Sequence, residues 1–246
     1  MYQFFVEPSQ IQGNKVIITG SDVNHIKNVL RMKAGEEVAV SNGIDGKEYR
    51  CGIGQITDEA VLCTLRFVKE DSAELASKIY LFQGLPKADK MELIIQKAVE
   101  LGVYEIIPVA AKRSVVRLDE KKAKNKLLRW QGIAEAAAKQ SKRGIIPRVR
   151  DVMSMKEAVL YAAETADVRL IPYELAQDMT KTRELIEGIR PGESAAVFIG
   201  PEGGFEENEI AAALENGIRP VTLGRRILRT ETAGFTVLSW LMYHLE

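Results

Sequence analysis

Short apolar runs separated by turns dominate the first 70 residues, a pattern that is typical of β-structure. The dipeptides Asn42-Gly43 and Asp45-Gly46 are turn signals between two of these runs. One helix interrupts the set, with Ser21 as its expected N-cap and Gly35 as its stop. We therefore predict a small β-rich domain over residues 1–70, with strands at 2–6, 15–19, 37–41, 48–56 and 61–68. The expected apolar face of the helix is Val23, Ile26, Val29 and Leu30.

After a short polar linker at 70–74, apolar strands begin to alternate with amphipathic helices. Strands are expected at 79–83, 105–109, 168–171, 195–199 and 221–223, with an extended segment at 114–116. Helices are expected at 87–101, 119–141, 179–189, 206–215 and 231–245, and one more opens at the capping box Ser154 to Glu157. Alternation of this kind predicts a mostly parallel sheet covered on both faces. Residues 74–246 are therefore expected to form one α/β domain.

Composition changes this picture little. Of the 246 residues, 46% are hydrophobic and 28% are charged, as in an ordinary soluble globular protein. No apolar run approaches the roughly 18 residues that a membrane span needs, and the N-terminus lacks a signal-peptide pattern. Two cysteines and two histidines, far apart, make no zinc pattern. We expect a cytoplasmic protein with no membrane partner and no metal site, in which Cys51 and Cys63 are reduced, buried thiols.

The distribution of charge is more informative than its sum, which is zero. Residues 112–150 hold 13 basic and three acidic side chains, whereas residues 151–246 hold nine basic and 16 acidic ones. Such asymmetry can give a neutral protein a basic face for nucleic acid. The helix near the N-terminus adds Lys27, Arg31 and Lys33 on its polar side. Solvated lysines explain the same residues about as well, so both interpretations stay open at this point.

Two predicted strands run directly into glycine-bearing loops. One loop is 200–204, Gly-Pro-Glu-Gly-Gly, and the other begins at Leu223-Gly224. Open α/β sheets bind ligands at the carboxyl ends of their strands, so one shared pocket is expected. The G-x-G-x-x-G, Walker A, G-x-S-x-G and H-E-x-x-H motifs are all absent. Gly203 and Gly204 allow positive φ and a close backbone approach, which suits a site that recognises adenine or ribose through main-chain groups. An ordinary strand-to-helix turn is the alternative.

The two loops resemble the signature of the SPOUT methyltransferases. Residues 198–205, F-I-G-P-E-G-G-F, and 223–233, L-G-R-R-I-L-R-T-E-T-A, are similar to the family that methylates N3 of a uridine in 16S ribosomal RNA. Further matches lie at 25–31 (H-I-K-N-V-L-R), 87–102 (K-A-D-K-M-E-L-I-I-Q-K-A-V-E-L-G), Arg113-Ser114, and from Trp130 through Gln140-Ser141 to Arg143, so the resemblance covers nearly the whole chain. Members often carry an RNA-contacting arginine near the N-terminus. Gln3 stands there in this chain, so the resemblance does not supply that contact.

This resemblance implies a fold, a cofactor and a partner. The fold is a PUA-like N-terminal β-barrel followed by an α/β domain with a C-terminal trefoil knot. The implied cofactor is S-adenosyl-L-methionine, and the implied substrate is 16S ribosomal RNA within an assembled small subunit. The family works as a homodimer with the pocket near the subunit interface. In the last helix, Thr236, Val237, Trp240 and Leu241 are either part of that interface or intramolecular core.

The resemblance also directs the choice of site residues. Methyl transfer is an in-line displacement in which positioning supplies much of the barrier reduction. Negative charge develops on the uridine carbonyl oxygens as the N3 proton leaves, and Arg229 is our candidate to stabilise it. The alternative is that Arg229 pairs with Glu231 or Glu202 as scaffolding. Both of these glutamates are candidates for the general base, as are a water molecule and the polarised substrate itself.

The expected binding residues follow from the same motifs. Cofactor contacts, largely through backbone groups, are expected at Ile199, Gly200, Pro201, Glu202, Gly203, Gly204, Leu223, Gly224, Ile227, Leu228, Arg229, Thr232 and Ala233. RNA contacts are expected at Lys27, Arg31, Lys33, Arg113, Gln140 and Arg143. Two other classes of protein stay open at this point: an RNA-binding scaffold without catalysis, and an enzyme that acts on a small metabolite.

Overall fold

The computed structural model describes residues 1–70, 73–173, 176 and 178–246. The chain divides into two compact units, the first comprising Met1–Glu74 with Ala138–Ile146 and the second Leu75–Ala137 with Pro147–Glu246. The boundary between residues 70 and 74 stays a prediction, and residues 71 and 72 of the expected linker lie outside the described residues. No helix in the described ranges is both long and apolar enough to cross a membrane.

The first unit is built on a six-stranded sheet. Its strands are β1 (Gln3–Phe5), β2 (Ile11–Gln12), β3 (Lys15–Thr19), β4 (Glu37–Ser41), β5 (Glu48–Ile56) and β6 (Ala60–Lys69). Their order is β1-β4-β5-β6-β3-β2, with β1 parallel to β4 and every other pair antiparallel. Two register shifts between β5 and β6 add local twist. The core lies on one side of this curled sheet, where Val16, Ile18, Val38 and Val40 are fully buried.

The predicted N-terminal helix is shorter than the sequence pattern suggested, and its second part is a wider, π-helical turn. It begins as α1 (Ser21–Asn24) and continues as a π-helical turn, His25–Val29, in which the Leu30 N–H donates to the His25 carbonyl at 2.8 Å. Gly20, with φ of 74°, takes the N-cap position in place of the predicted Ser21. The wider turn moves Val29 off the apolar face, so Val29 is 61% exposed while Ile26 is buried.

Both cysteines lie in the core of the first unit, and both are free thiols. Burial raises the pKa of Cys51 to about 11 and that of Cys63 to about 12. The thiols therefore stay protonated at neutral pH, and the prediction of two buried, unpaired thiols is confirmed. Over the described ranges, His, Cys, Asp and Glu side chains form no group of three or more that could hold a metal ion.

Arg143 lies in a buried ion pair of the first unit and is only 3% exposed. Its Nη2 and Nε atoms lie 2.5 and 3.1 Å from Oε2 of Glu74. The other oxygen of Glu74 accepts from the backbone N–H groups of Gly144 and Ile145 at 3.0 and 3.1 Å. Gln3 donates to the carbonyl of Arg143 at 2.7 Å. We therefore remove Arg143 from the expected RNA contacts, because its guanidinium is enclosed by the protein.

Replacing Arg143 by methionine should lower the free energy of unfolding by roughly 3 kcal/mol, because the substitution leaves the Glu74 carboxylate buried without its cation. Urea denaturation of the full chain measures the change. Arg31→Met is the matched control, since Arg31 is exposed, and its effect should stay within about 0.5 kcal/mol. A stable Arg143→Met protein that loses affinity for RNA would instead return Arg143 to the RNA surface.

The second unit contains a seven-stranded, wholly parallel sheet. Its strands are β7 (Ile79–Gly84), β8 (Glu105–Ala110), β9 (Arg148–Val149), β10 (Met153–Ser154), β11 (Val168–Pro172), β12 (Ala195–Ile199) and β13 (Arg219–Val221). The order is β10-β8-β7-β12-β11-β13, and β9 also pairs with β8. The predicted parallel α/β sheet is confirmed. The extended segment at 114–116 is not a strand, and the two-residue strands β9 and β10 are too short to have shown a pattern.

Among the residues that the structure describes, six helices accompany this sheet: α2 (Lys90–Glu100), α3 (Glu120–Gln140), α4 (Met155–Thr165), α5 (Met179–Glu187), α6 (Glu207–Glu215) and α7 (Thr230–Leu245). The structure begins α2 three residues later than predicted, because Ala88 has a φ of 53° and breaks the helical path. The rings of Phe82 and Phe198 stack at 4.3 Å between β7 and β12. These central strands are paired so that Gln83 lies beside Ile199, which brings their carboxyl ends together. The trefoil knot stays a prediction.

Candidate active site

A cavity of about 630 Å³ lies at the carboxyl edge of the parallel sheet. Its walls are the loops that follow β12 and β13 and the first turn of α7. A volume of this size is within the range of roughly 300–1,000 Å³ that small-molecule sites occupy. Of the expected cofactor residues, the structure brings together Ile199, Gly200, Pro201, Glu202, Gly203, Gly204, Leu223, Gly224, Ile227, Leu228, Arg229 and Ala233. Thr232 does not line the cavity, and neither does Glu231.

The glycines of the first loop allow the backbone to pack on itself. A Cβ atom on Gly84, at the end of β7, would lie 2.5 Å from Pro201 Cδ and 2.6 Å from Pro201 N. A Cβ atom on Gly200 would lie 3.0 Å from the Cα atom of Gly204. Of the two glycines expected to allow positive φ, Gly204 has a φ of 68°, whereas Gly203 does not have a positive φ. The bare backbone therefore forms the wall of the cavity directly above the strand ends.

A buried polar chain joins this wall to α7. The Thr230 hydroxyl donates to the Gly200 carbonyl at 2.6 Å and accepts from the Gln83 side-chain amide at 2.9 Å. Gln83 and Thr230 are both buried. They fix the loop after β12 to the first residue of α7, so the two signature segments form one structure. Sequence reasoning missed both residues, although a glutamine within the apolar strand Ile79–Gly84 was a possible signal.

Lys90 lies between the two acidic candidates of the site. Its Nζ atom is 3.1 Å from Glu202 Oε1 and 3.3 Å from Glu231 Oε2. Burial works to raise the pKa of Glu202, but hydrogen bonds from its own backbone N–H, from Lys90 and from the Lys87 N–H outweigh burial and lower it. The hydrogen bond to Glu202 in turn raises the pKa of Lys90. Both groups of this pair are therefore charged at neutral pH. Sequence reasoning did not single out Lys90.

Arg229 lies at the N-cap of α7, lines the cavity and is exposed. Within the described residues, its guanidinium forms no ion pair with Glu202 or Glu231, and both carboxylates pair with Lys90 instead. The scaffolding alternative for Arg229 is therefore not what the structure shows. An exposed guanidinium at the wall of the cavity is in a position to interact with charge that develops on a bound molecule.

Arg113 holds the glycine loop through a hydrogen bond. Its Nη1 atom donates to the Gly203 carbonyl at 3.1 Å, and its side chain also lines the cavity. The neighbouring Lys112 N–H donates to Glu209 at 3.0 Å, and the same carboxylate accepts the Glu206 N–H in the capping box of α6. The backbone at 112–113 is therefore fixed to α6 and to the loop. An RNA contact by Arg113 stays a prediction.

The other expected RNA residues lie in the first unit. Arg31, Lys33 and Gln140 are exposed. Lys27 is exposed as well, but its Nζ atom lies 2.5 Å from the Asp58 carboxylate. Arg31 and Lys33 follow the π-helical turn and are not part of a helix, since Arg31 has a φ of 53°. These four contacts stay predictions.

Similarity to known proteins establishes the class of this protein. Residues 73–242 match the family model of the RNA methyltransferase domain, and residues 18–66 match that of the RNA methyltransferase PUA domain. The chain is thus an RNA methyltransferase with a PUA domain. It is 38% identical to ribosomal RNA small subunit methyltransferase E of Bacillus subtilis (strain 168), over 100% of this chain and 98% of the relative. The chain belongs to the ribosomal RNA small subunit methyltransferase E family.

Other relatives agree with this assignment. The protein of the same name from Mesomycoplasma hyopneumoniae (strain 232) is 34% identical over 97% of this chain and 98% of its own. The crystal structure of ribosomal RNA small subunit methyltransferase E from Neisseria gonorrhoeae, bound to S-adenosyl methionine, is 30% identical with a TM-score of 0.84 and covers 99% of this chain and 97% of its own. A putative methyltransferase from Legionella pneumophila in complex with the same cofactor is 31% identical with a TM-score of 0.84, over 98% of this chain and 96% of its own. The predicted family is confirmed.

Proposed function

We propose that this chain transfers a methyl group from S-adenosyl-L-methionine to N3 of a uridine in 16S ribosomal RNA. The observation that carries the proposal is the cavity, where both signature loops meet at the carboxyl edge of a parallel sheet. Two solved structures of similar fold, at 30% and 31% identity, hold this cofactor. When bound, the cofactor supplies an electrophilic methyl group on a sulfonium. The remaining work of binding, orientation and charge stabilisation belongs to the chain itself.

Backbone groups bind the cofactor in this proposal. Gly200, Gly203 and Gly204 line one wall of the cavity, and Leu223 with Gly224 lines the other. The main-chain groups of these residues that the protein does not itself engage are the proposed cofactor contacts. The Thr230 hydroxyl keeps the first wall in place through the Gly200 carbonyl. A rigid, preorganised wall favours transfer because it fixes the distance and angle between the reacting atoms.

Arg229 stabilises the transition state in this proposal. Loss of the N3 proton spreads negative charge over two carbonyl oxygens of the uracil ring, and a guanidinium can donate to such an acceptor in a planar geometry. Arg229 is the candidate because it lines the cavity and is not engaged by Glu202 or Glu231, the carboxylates that Lys90 holds.

The base that accepts the proton is a further part of the proposal. Glu202 and Glu231 both contact Lys90, and the lowered pKa of Glu202 makes this carboxylate a weaker base than an ordinary glutamate. The contacts thus favour a water molecule, with Arg229 lowering the energy of the deprotonated uracil. Glu231, partly buried beside Lys90, is the second candidate.

The chain acts as a homodimer on RNA of the assembled small subunit in this proposal, and its location is the cytoplasm. Two exposed apolar side chains support a second copy: Ile227, which is 99% exposed at the cavity, and Tyr243 on α7, which is 87% exposed. In this proposal the second copy would cover both of these side chains. The proposal includes the trefoil knot that the family resemblance implies.

Two measurements test the function. Calorimetric titration with S-adenosyl-L-methionine should give one site per chain, whereas an RNA-binding scaffold would release no heat. Mass spectrometry of 16S ribosomal RNA from a deletion strain should show one methyl group missing from one uridine, restored by the gene. Cofactor binding without any change in ribosomal RNA would favour an enzyme that acts on a small metabolite.

A further inference from the structure

The side chains that line the cavity carry a net positive charge. Its lining includes the cations Lys90, Arg113, Arg225, Arg226 and Arg229, and Glu202 is the acidic residue in the same lining. Lys90 is held by Glu202 and Glu231, and Arg113 donates to the Gly203 carbonyl. Each of these two cations thus has a partner in the protein. The remaining excess lies on the loop that follows β13.

Arg225 and Arg226 are both exposed in that loop. In the described part of the chain, neither guanidinium has a hydrogen bond or ion pair with a protein group. Gly224 turns the backbone just before them, with a φ of 95° and its N–H bonded to the Thr222 hydroxyl at 3.2 Å. The fixed turn presents both side chains at the cavity rather than leaving them on a distant surface.

The proposed cofactor does not account for this charge. S-adenosyl-L-methionine carries a sulfonium and an ammonium group against a single carboxylate, so it is itself a cation. Arg225, Arg226 and Arg229 together offer three positive charges beside it, and like charges at short range repel. One arginine would suffice for the carboxylate of the cofactor. Three arginines that form no ion pair within the described residues match a polyanion better than they match the cofactor.

We propose that Arg225 and Arg226 bind the backbone phosphates that flank the target nucleotide, while Arg229 addresses its base. This inference rests on the proposed function and deepens it. Guanidinium groups bind phosphate oxygens in a bidentate manner, and such contacts fix the register of the nucleic acid without reading its sequence. Two phosphates held on either side of one nucleotide would place its base over the cavity.

The test compares Arg225→Gln, Arg226→Gln and the double variant with wild type. The ligand is the purified small ribosomal subunit from a strain that lacks this gene, with binding measured at several salt concentrations. Each single variant should weaken binding by on the order of tenfold and reduce the salt slope by about 0.7. Affinity for S-adenosyl-L-methionine, measured by calorimetry, should change by less than about twofold, since backbone groups bind the cofactor in the proposed function.

Arg190→Gln is the matched control, because Arg190 is exposed before β12, at the opposite end of the strand from the cavity. It should leave both affinities and the salt slope unchanged. Weaker cofactor binding in Arg225→Gln or Arg226→Gln, with an unchanged salt slope, would overturn the inference and assign the arginine to the cofactor carboxylate. Unchanged binding of both ligands would overturn it as well. Failure of the proposed function is distinct, since the wild-type protein would then not bind the cofactor.

Discussion

Alanine in place of Arg229 should lower the rate of methyl transfer at saturating substrates by about 10²–10³-fold, with the affinity for S-adenosyl-L-methionine within about twofold of wild type. The reason is that Arg229 lines the cavity without forming an ion pair with Glu202 or Glu231. A preorganised donor aimed at developing charge contributes mainly to the transition state, so its removal acts on the rate constant and not on ground-state binding.

Single-turnover methylation of small subunits and calorimetry with the cofactor separate these two effects. Arg183→Ala is the control, because Arg183 is an exposed arginine of α5 that does not line the cavity. Arg229→Lys should recover part of the rate, since it restores the charge without the planar pair of donors. If Arg229→Ala regained the full rate at high cofactor concentration, Arg229 would be a cofactor ligand and its assigned role would be wrong.

The sequence predicted the sheet well because strand formation here depends on local pattern. All five residues of β12 are apolar and buried, as a central parallel strand requires, and the run was visible in the sequence. The loop after β12 was also predictable, because its glycines lack the side chains that a tightly packed backbone could not accommodate. Differences arose where geometry overrode pattern, as with the π-helical turn at His25–Val29 that exposes Val29.

The supports of the site could not be predicted, because they depend on contacts between residues that are distant in sequence. Lys90 and Glu202 are separated by 112 positions, and Gln83 and Thr230 by 147. Nothing in the local pattern around Lys90 distinguishes it from a solvated lysine at a helix start. Arg143 illustrates the converse, since a basic residue in a basic segment proved to be buried against Glu74.

These supports change the interpretation of the glycine loop. Gly84 and Gly200 face backbone atoms of the protein itself, and Gly203 faces the side chain of Arg113. The absence of a Cβ atom at these positions therefore permits internal packing, which in turn fixes where main-chain groups meet a ligand. The glycines also allow a ligand to approach the backbone directly, but this approach is not the only reason that glycine is needed at these positions.

Gly84→Ala should reduce the affinity for S-adenosyl-L-methionine by at least about tenfold and lower the free energy of unfolding by about 1–3 kcal/mol. The new Cβ atom would lie 2.5 Å from Pro201 Cδ and 2.6 Å from Pro201 N, so the backbone after β12 must move. That movement displaces the Gly200 carbonyl from the Thr230 hydroxyl, which holds the wall at 2.6 Å. Calorimetry and urea denaturation measure the two effects on the same preparation.

Gly132→Ala is the matched control for this substitution, because Gly132 lies within α3 and a Cβ atom there would meet nothing within 4 Å apart from its chain neighbours and the backbone of its own helix. Alanine is favoured over glycine inside a helix, so the control should raise stability by up to about 1 kcal/mol and leave cofactor affinity unchanged. Equal cofactor affinity in Gly84→Ala and wild type would show that the loop can shift without cost. The preorganised backbone wall would then not be what positions the cofactor, and binding would have to depend on side chains such as Arg229 and Leu228, which also line the cavity.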